Sequence, residues 1–402
     1  MDPHRLDDPV AALFGDAVFD SLYSAVNGAP SLAEGPPVVA AQDAQGPTLL
    51  HVRLRRELQT ARGAKIEVAD AIASIARARS LAARAWLEGV PEPKRADEDT
   101  LAFAMRDKDR LVRALASPLV AIVPRGFSPE RPDGTGPFRA ELRGGSLALA
   151  RNPRAARGPA LLEAVEIGAA SDLASSLRAF EAGSDDLGWL GMGLHEPRAG
   201  AKPFDAGAVA WAVLRTGREA GAWDAPGVAQ RLCDGIAPSK LAYLGVGGWT
   251  AEREEGWGGA ACDIFVRSDA PWLVEVARAV AGTLSRAGHE VTPKPIALTE
   301  LAARRASRTF ALMIDLVRPF APGALGALLA LATADDPAAA AEIAKRPPRF
   351  GDVPPRAQTR TLRLGIVGEV RAVGGRVPDV VLPAQGAGFG LDLGGAARGS
   401  RP

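Results

Sequence analysis

One short stretch limits this chain more than any other: Pro132-Asp133-Gly134-Thr135-Gly136-Pro137-Phe138, followed by alternating residues on either side of Gly144-Gly145. Two glycines flank a threonine, and Pro137 then holds φ at about −65°, so the segment is a rigid turn and not a flexible loop. Phe138 to Arg143 and Ser146 to Asn152 read as two strands joined at the Gly-Gly reversal, a β-hairpin. No third glycine and no helix start follows Gly134-x-Gly136 at the spacing of a dinucleotide fingerprint, which rules out a phosphate cradle.

A chain of 402 residues has room for two or three domains and an ample core. The formal net charge of +1 leaves no electrostatic footprint for nucleic acid or an anionic membrane. The two cysteines, Cys233 and Cys262, have no metal-ligand spacing, and the sequence leaves open whether they pair. The most apolar window, Phe320 to Ala332, is too short to span a bilayer and is interrupted by Pro322, Gly323 and Gly326. No secretory leader is legible at the start.

In order along the chain, Val10, Leu13, Phe14, Val18 and Leu22 have helical spacing, predicting a helix that ends near Tyr23. Thr48 to Arg55 alternates as a half-buried strand, and Val68, Ile72, Ile75, Ala78, Ala82 and Trp86 form a helical stripe. Leu101 to Leu115 reads as a further helix and Val120 to Val123 as a strand. Leu162 to Ile167, a helix ending at Gly183, and Asp186 to Leu190 make a β-α-β unit. Asp224 and Pro226 open a helix. Farther on come a strand at 265–269, a helix from Pro271 to Gly288, a helix from Glu300 to Arg308 and a buried strand from Phe310 to Leu316. Thr361 to Val373 and Asp379 to Leu382 read as strands, and the final Gly/Ala/Arg/Ser/Pro run as a frayed tail.

Nothing in the chain assembles a catalytic site. His4, His51, His195 and His289 are scattered, and none lies in a zinc, nucleophile-elbow or Cys/His context. The residues therefore predict no catalytic residue, no metal and no cofactor. With aromatic residues at only 5%, the tryptophans carry more weight than usual. Trp86 lies on a helical stripe and reads as core. Trp189, Trp249 and Trp257 stand at strand ends or in Gly-rich loops, where aromatic side chains line pockets.

The stretch Gly134-Thr135-Gly136-Pro137-Phe138, then Arg151-Asn152-Pro153 and Gly158-Pro159-Ala160-Leu161, resembles the core signature of the extracellular solute-binding proteins of peptide/nickel-type ABC importers, family 5. Ala155 replaces that family's usual tyrosine, and Glu163 falls near its usual aspartate. Asp2-Pro3 and Asp20-Ser21-Leu22-Tyr23 are similar to the family's opening, with Met1 where a mature chain has leucine, as if a leader had been removed or not included. Leu54-Arg55, Gly63, Asp70, Ser74 and Ile75 match its next motif, with Glu67 at the place of a threonine helix cap.

The resemblance implies an α/β, two-lobed periplasmic-binding-protein-like fold of class II type, with a small extra domain on the first lobe. With the Pro/Gly-rich linkers it sets expected boundaries: first lobe at 1–35, 116–192 and 356–402, small domain at 36–115, second lobe at 193–355. It implies a substrate-binding component of an ABC importer that captures a peptide-like or other small solute between lobes by hinge closure. The implied partners are that solute and a membrane permease, without nucleic acid, for a monomer in the periplasm or outside the cytoplasm. The rival within this fold is a sensor or chaperone-like peptide receptor without transport.

Classical peptide-binding members hold the peptide's α-amino group with an aspartate in a stretch that corresponds to Leu312 to Pro319. Only Asp315 is kept there; the family's tryptophan and tyrosine are missing, and Arg318 adds a cation suited to an acidic ligand. The expected ligand contacts are Tyr23, Trp189, His195, Trp249, Trp257, Asp315 and Arg318.

Overall fold

The computed structural model describes residues 1–40, 48–143, 146–168, 170, 173–189, 200–244, 246–250, 255–346, 353–383 and 390–399. Its contacts divide the chain into two compact units: residues 1–169, 319–349 and 379–402, and residues 170–318 and 350–378.

In the first unit, α1 (Pro9–Phe14) is capped by Asp8, whose carboxylate accepts from Ala11 N. The helix expected to reach Tyr23 stops here, because the chain tightens into a 3-10 turn at Gly15–Ala17. Strands β1 (Val38–Val39), β2 (Leu50–Arg53), β3 (Lys94–Arg95) and β4 (Thr100–Phe103) form one antiparallel sheet in the order β1-β2-β4-β3. All four come from the segment expected to form the small domain. Helix α2 (Val68–Ala78) buries Val68, Ala71, Ile75 and Ala78, and Asp70 Oδ2 accepts from Glu67 N at its first turn. The chain expected as one helix from Leu101 is β4 followed by α3 (Lys108–Leu115), capped by Asp107. β4 is buried at every position, so its apolar run carries no period that separates strand from helix. The strand expected at 120–123 is a 3-10 turn at Pro118–Val120 and a single bridge between Asp20 and Ile122.

The hairpin is present as β5 (Phe138–Arg143) and β6 (Ser146–Arg151), with β7 (Ala164–Ile167) added beside β6. Its Gly144-Gly145 tip lies outside the described residues.

The second unit holds α4 (Leu173–Glu181) and a seven-stranded sheet. Its strands are β8 (Leu187–Trp189), β9 (Lys202–Thr216), β10 (Val246–Gly247), β11 (Cys262–Arg267), β12 (Val291–Ile296), β13 (Leu312–Val317) and β14 (Leu364–Arg376). They run β10-β14-β9-β13-β11-β12, with β8 beside β14. Helices α5 (Val228–Asp234), α6 (Pro271–Leu284) and α7 (Leu298–Ser307) belong to this unit. β11, β12 and β13 are parallel neighbours, and α6 and α7 are their crossovers. The long strand β9 was not legible, because its second half is buried residue after residue and shows no alternation.

Three expectations are corrected here. The strand over 361–373, assigned to the first lobe, is β14, which pairs with β9 along most of its length in the second unit. It lies inside that unit's sheet, flanked by β9 on one edge and β10 and β8 on the other, and most of its residues are buried. Conversely, α8 (Ala324–Asp335) and α9 (Pro337–Lys345), expected in the second lobe, cluster with the first unit, where Phe320 stacks on Trp86 at 5.7 Å. The tail is not frayed over 390–399: Leu391, Leu393 and Ala396 are buried, and β16 (Ala397–Arg398) pairs with β15 (Val380–Val381). The short helix α10 (Pro355–Gln358) precedes β14.

Candidate ligand-binding site

The signature turn proves to be a clasp inside the first unit. Thr135 Oγ1 donates to Asp20 Oδ2 at 2.7 Å, and Arg157 Nε donates to Asp20 Oδ1 at 2.5 Å. Asn152 Nδ2 donates to Gly136 O at 2.8 Å, and Ala156 N to Thr135 O at 2.9 Å. A side chain on Gly134 or Gly136 would collide with the Val18 backbone, so both glycines are needed for close approach. The motif that carries the resemblance thus acts through packing and buried polar contacts.

The residues expected to touch ligand lie apart. Tyr23, in the first unit, is buried, and its hydroxyl donates to Gly35 O at 3.2 Å; burial pushes its phenol well above the usual range. Trp189 ends β8, with its backbone opposite Gly374 of β14. His195 lies outside the described residues.

Asp315 is 1% exposed on β13. Its Oδ2 accepts from Arg215 Nε at 3.1 Å and from Arg305 Nη1 at 2.7 Å, and its Oδ1 accepts from Leu316 N at 2.9 Å. Both oxygens are therefore engaged by groups of the same unit. Arg318, one residue beyond β13, is buried. Trp257 is 1% exposed; its indole donates to Ala260 O at 2.8 Å, and its ring lies 5.1 Å from Trp223. Trp249 is half-buried, donates to Ile236 O at 2.9 Å, and carries the Arg356 guanidinium 4.8 Å from its ring centre. In the second unit, Asp315, Trp257 and Trp249 thus each have a protein partner, and of the three only Trp249 is not fully buried.

Sequence reasoning missed Arg215 and Arg305, the partners of Asp315, because a single arginine in an apolar run or on a helix has no motif. It also missed a cavity of about 520 Å³ in the first unit, lined by residues 54–57, 65–69, 95, 98 and 99. These charged loop residues read as solvated surface. Cys233 and Cys262 are both free thiols. Among the described residues, no group of His, Cys, Asp and Glu is placed to hold a metal, and no helix is long and apolar enough to cross a membrane.

No protein-family profile matches the chain, and no curated protein matches it either. Solved structures do. The binding protein AgaA from A. tumefaciens R10, in complex with agropinic acid, is 15% identical, with a TM-score of 0.68 over 100% of this chain and 96% of that one. The oligopeptide-binding protein AppA from Bacillus subtilis, in complex with a nonapeptide, is 12% identical, with a TM-score of 0.66 over 99% and 96%. NikA from Brucella suis, in complex with Fe(III)-EDTA, is 15% identical, with a TM-score of 0.63 over 98% and 97%. The chain therefore has the α/β, two-lobed fold of the periplasmic binding proteins, as the signature turn implies. The match runs almost end to end on both sides.

Proposed function

We propose that this protein is the substrate-binding component of an ABC importer, working outside the cytoplasm and handing a peptide-like or other small solute to a membrane permease. The observation that carries this reading is the near-complete coverage of this chain and of solute-binding structures by one common fold, in both directions. The clasp of Asp20, Thr135, Asn152 and Gly136 supports it, because the resemblance rests on those same residues. Catalysis has no part in this reading.

Within it, Trp249 is the aromatic contact for the solute, since it is half-buried where Trp257 is fully buried. Tyr23, Trp189, His195, Trp257, Asp315 and Arg318 remain nominated contacts. Asp315, already engaged with Arg215 and Arg305, is ill suited to hold an α-amino group as in classical peptide binders. The test is mass spectrometry of solutes released when purified protein is denatured, followed by tryptophan-fluorescence titration with those solutes, with peptides and with small organic acids. Saturable binding at micromolar concentration, about −8 kcal/mol, is the expected result. No released solute and no titration response across the panel would overturn the reading.

A further inference from the structure

The cavity of about 520 Å³ in the first unit has the volume of a small-molecule site. Three pieces of backbone wall it. The chain leaving β2 runs beside residues 65–66, where Ile66 N donates to Leu58 O at 2.9 Å and Gln59 bridges Lys65. The first turn of α2 contributes Val68 and Ala69, and the β3–β4 turn contributes Arg95, Glu98 and Asp99. That turn is tied to β2 by Leu54 N donating to Asp99 O at 2.8 Å.

The lining holds four cations (Arg55, Arg56, Lys65 and Arg95) and four carboxylates (Glu57, Glu67, Glu98 and Asp99), a formal sum of zero. Several are already used by the fold. Arg55 donates to the carbonyls of Ser31 and Ala156, and Arg95 to that of Asp97. Asp99 pairs with Arg53 at 2.8 Å and Glu67 with Arg125 at 3.2 Å. Glu57 and Glu98 have no hydrogen bond or ion pair among the described residues, and Arg56 and Lys65 reach only distant carboxylates, at 3.9 and 3.6 Å. Charges of both signs thus line one concavity with capacity to spare. Lys65 is an exposed ammonium whose nearest carboxylate, Glu67, is 3.6 Å away, and it supplies a donor for a carboxylate. Glu57, held at φ 60° although it is not a glycine, supplies an acceptor for an ammonium group.

We propose that this cavity binds a small zwitterion, an amino acid or dipeptide, with its carboxylate toward Lys65 and its ammonium toward Glu57 and Glu98. This site lies wholly in the first unit and does not depend on the importer reading. The experiment is calorimetric titration of the full chain with the common L-amino acids and their glycyl dipeptides, repeated on E57Q/E98Q, K65Q and W249A. The charged residues are exposed, so matching thermal melts will show that these variants fold. Binding is expected to weaken at least tenfold in E57Q/E98Q and in K65Q, to persist in W249A, and to vanish when the same compound is N-acetylated and C-amidated. The proposal is overturned if no compound binds, if the blocked compound binds equally well, or if both charge variants bind like the parent.

Discussion

Thr135 Oγ1 donates to Asp20 Oδ2 at 2.7 Å, joining residues 115 positions apart at a site where both side chains are buried. The bond lets the signature turn grip the segment after α1, and Arg157 closes the other side of the same carboxylate. A buried acceptor that loses one donor keeps its desolvation cost, so Thr135→Val should destabilise by about 1–3 kcal/mol. Urea denaturation reads this as a lower midpoint at unchanged slope. An unchanged midpoint would mean that the clasp does not hold the fold.

Gly136→Ala tests the same contact by volume. The new methyl would stand 2.6 Å from the Val18 carbonyl carbon, against backbone that cannot rotate away. The expected loss is at or above the upper end of about 1–3 kcal/mol for overpacking. A control, Gly126→Ala, meets nothing within 4 Å but sits at φ +83°, so it should cost less and only through backbone strain.

How far the chain was legible follows from which physical signal each residue left. The turn at 132–138 was readable because glycine and proline act locally, whatever their partner. That the partner is Val18 and Asp20 was not, since nothing in a sequence marks a contact across more than a hundred residues. β5, β6 and α6 were readable through period, with one face buried and the other wet. β9 and β14 lie inside the sheet with long buried runs, so they carry little periodic signal, and β14 belongs to the second unit and not to the first lobe that the sequence pattern predicts. Asp315 stands out in the sequence through the family resemblance, as an expected ligand contact. Its partners Arg215 and Arg305 became visible only once β9 and α7 had been folded against β13.

The two thiols should be slow to react in the native protein. Burial raises Cys233 to about 12, and burial together with Asp263 raises Cys262 to about 11, so almost no thiolate exists at neutral pH. A chromogenic disulfide reagent at pH 7.5 should label neither within minutes and both after denaturation. Rapid native labelling of Cys233 would contradict its burial.

Asp2 predicts how stability changes in acid. Burial alone would raise its carboxyl, but the bidentate pair with Arg77, at 2.9 and 2.6 Å, and the bond from His4 N outweigh it and hold the group below the ordinary carboxylate value. The folded form therefore binds this proton less readily than the unfolded chain. The resulting stabilisation is complete above the unfolded value, about 3.9, and is lost as pH falls through the lower folded value. Asp2→Asn removes that dependence and leaves Arg77 without its carboxylate. The variant should be less stable than the parent at pH 7, and the gap should narrow below about pH 4.

Asp315 separates structural work from ligand contact most sharply. Arg215 is buried against it, and Arg305 shares the same oxygen. Removing the carboxylate takes the Asp315 pairing away from both guanidiniums inside the second unit, and breaking such a buried pair costs about 3–5 kcal/mol. Asp315→Ala should therefore show a large fall in melting temperature before any ligand is added. Replacing all three residues together with apolar side chains of similar volume, as in Asp315→Leu with Arg215→Met and Arg305→Met, should recover much of that loss, because the whole charged cluster is then removed together. If Asp315→Ala melts like the parent, the triad is not structural. Asp315 would then return to being a solute contact, and affinity for a transported solute would be the measurement that moves.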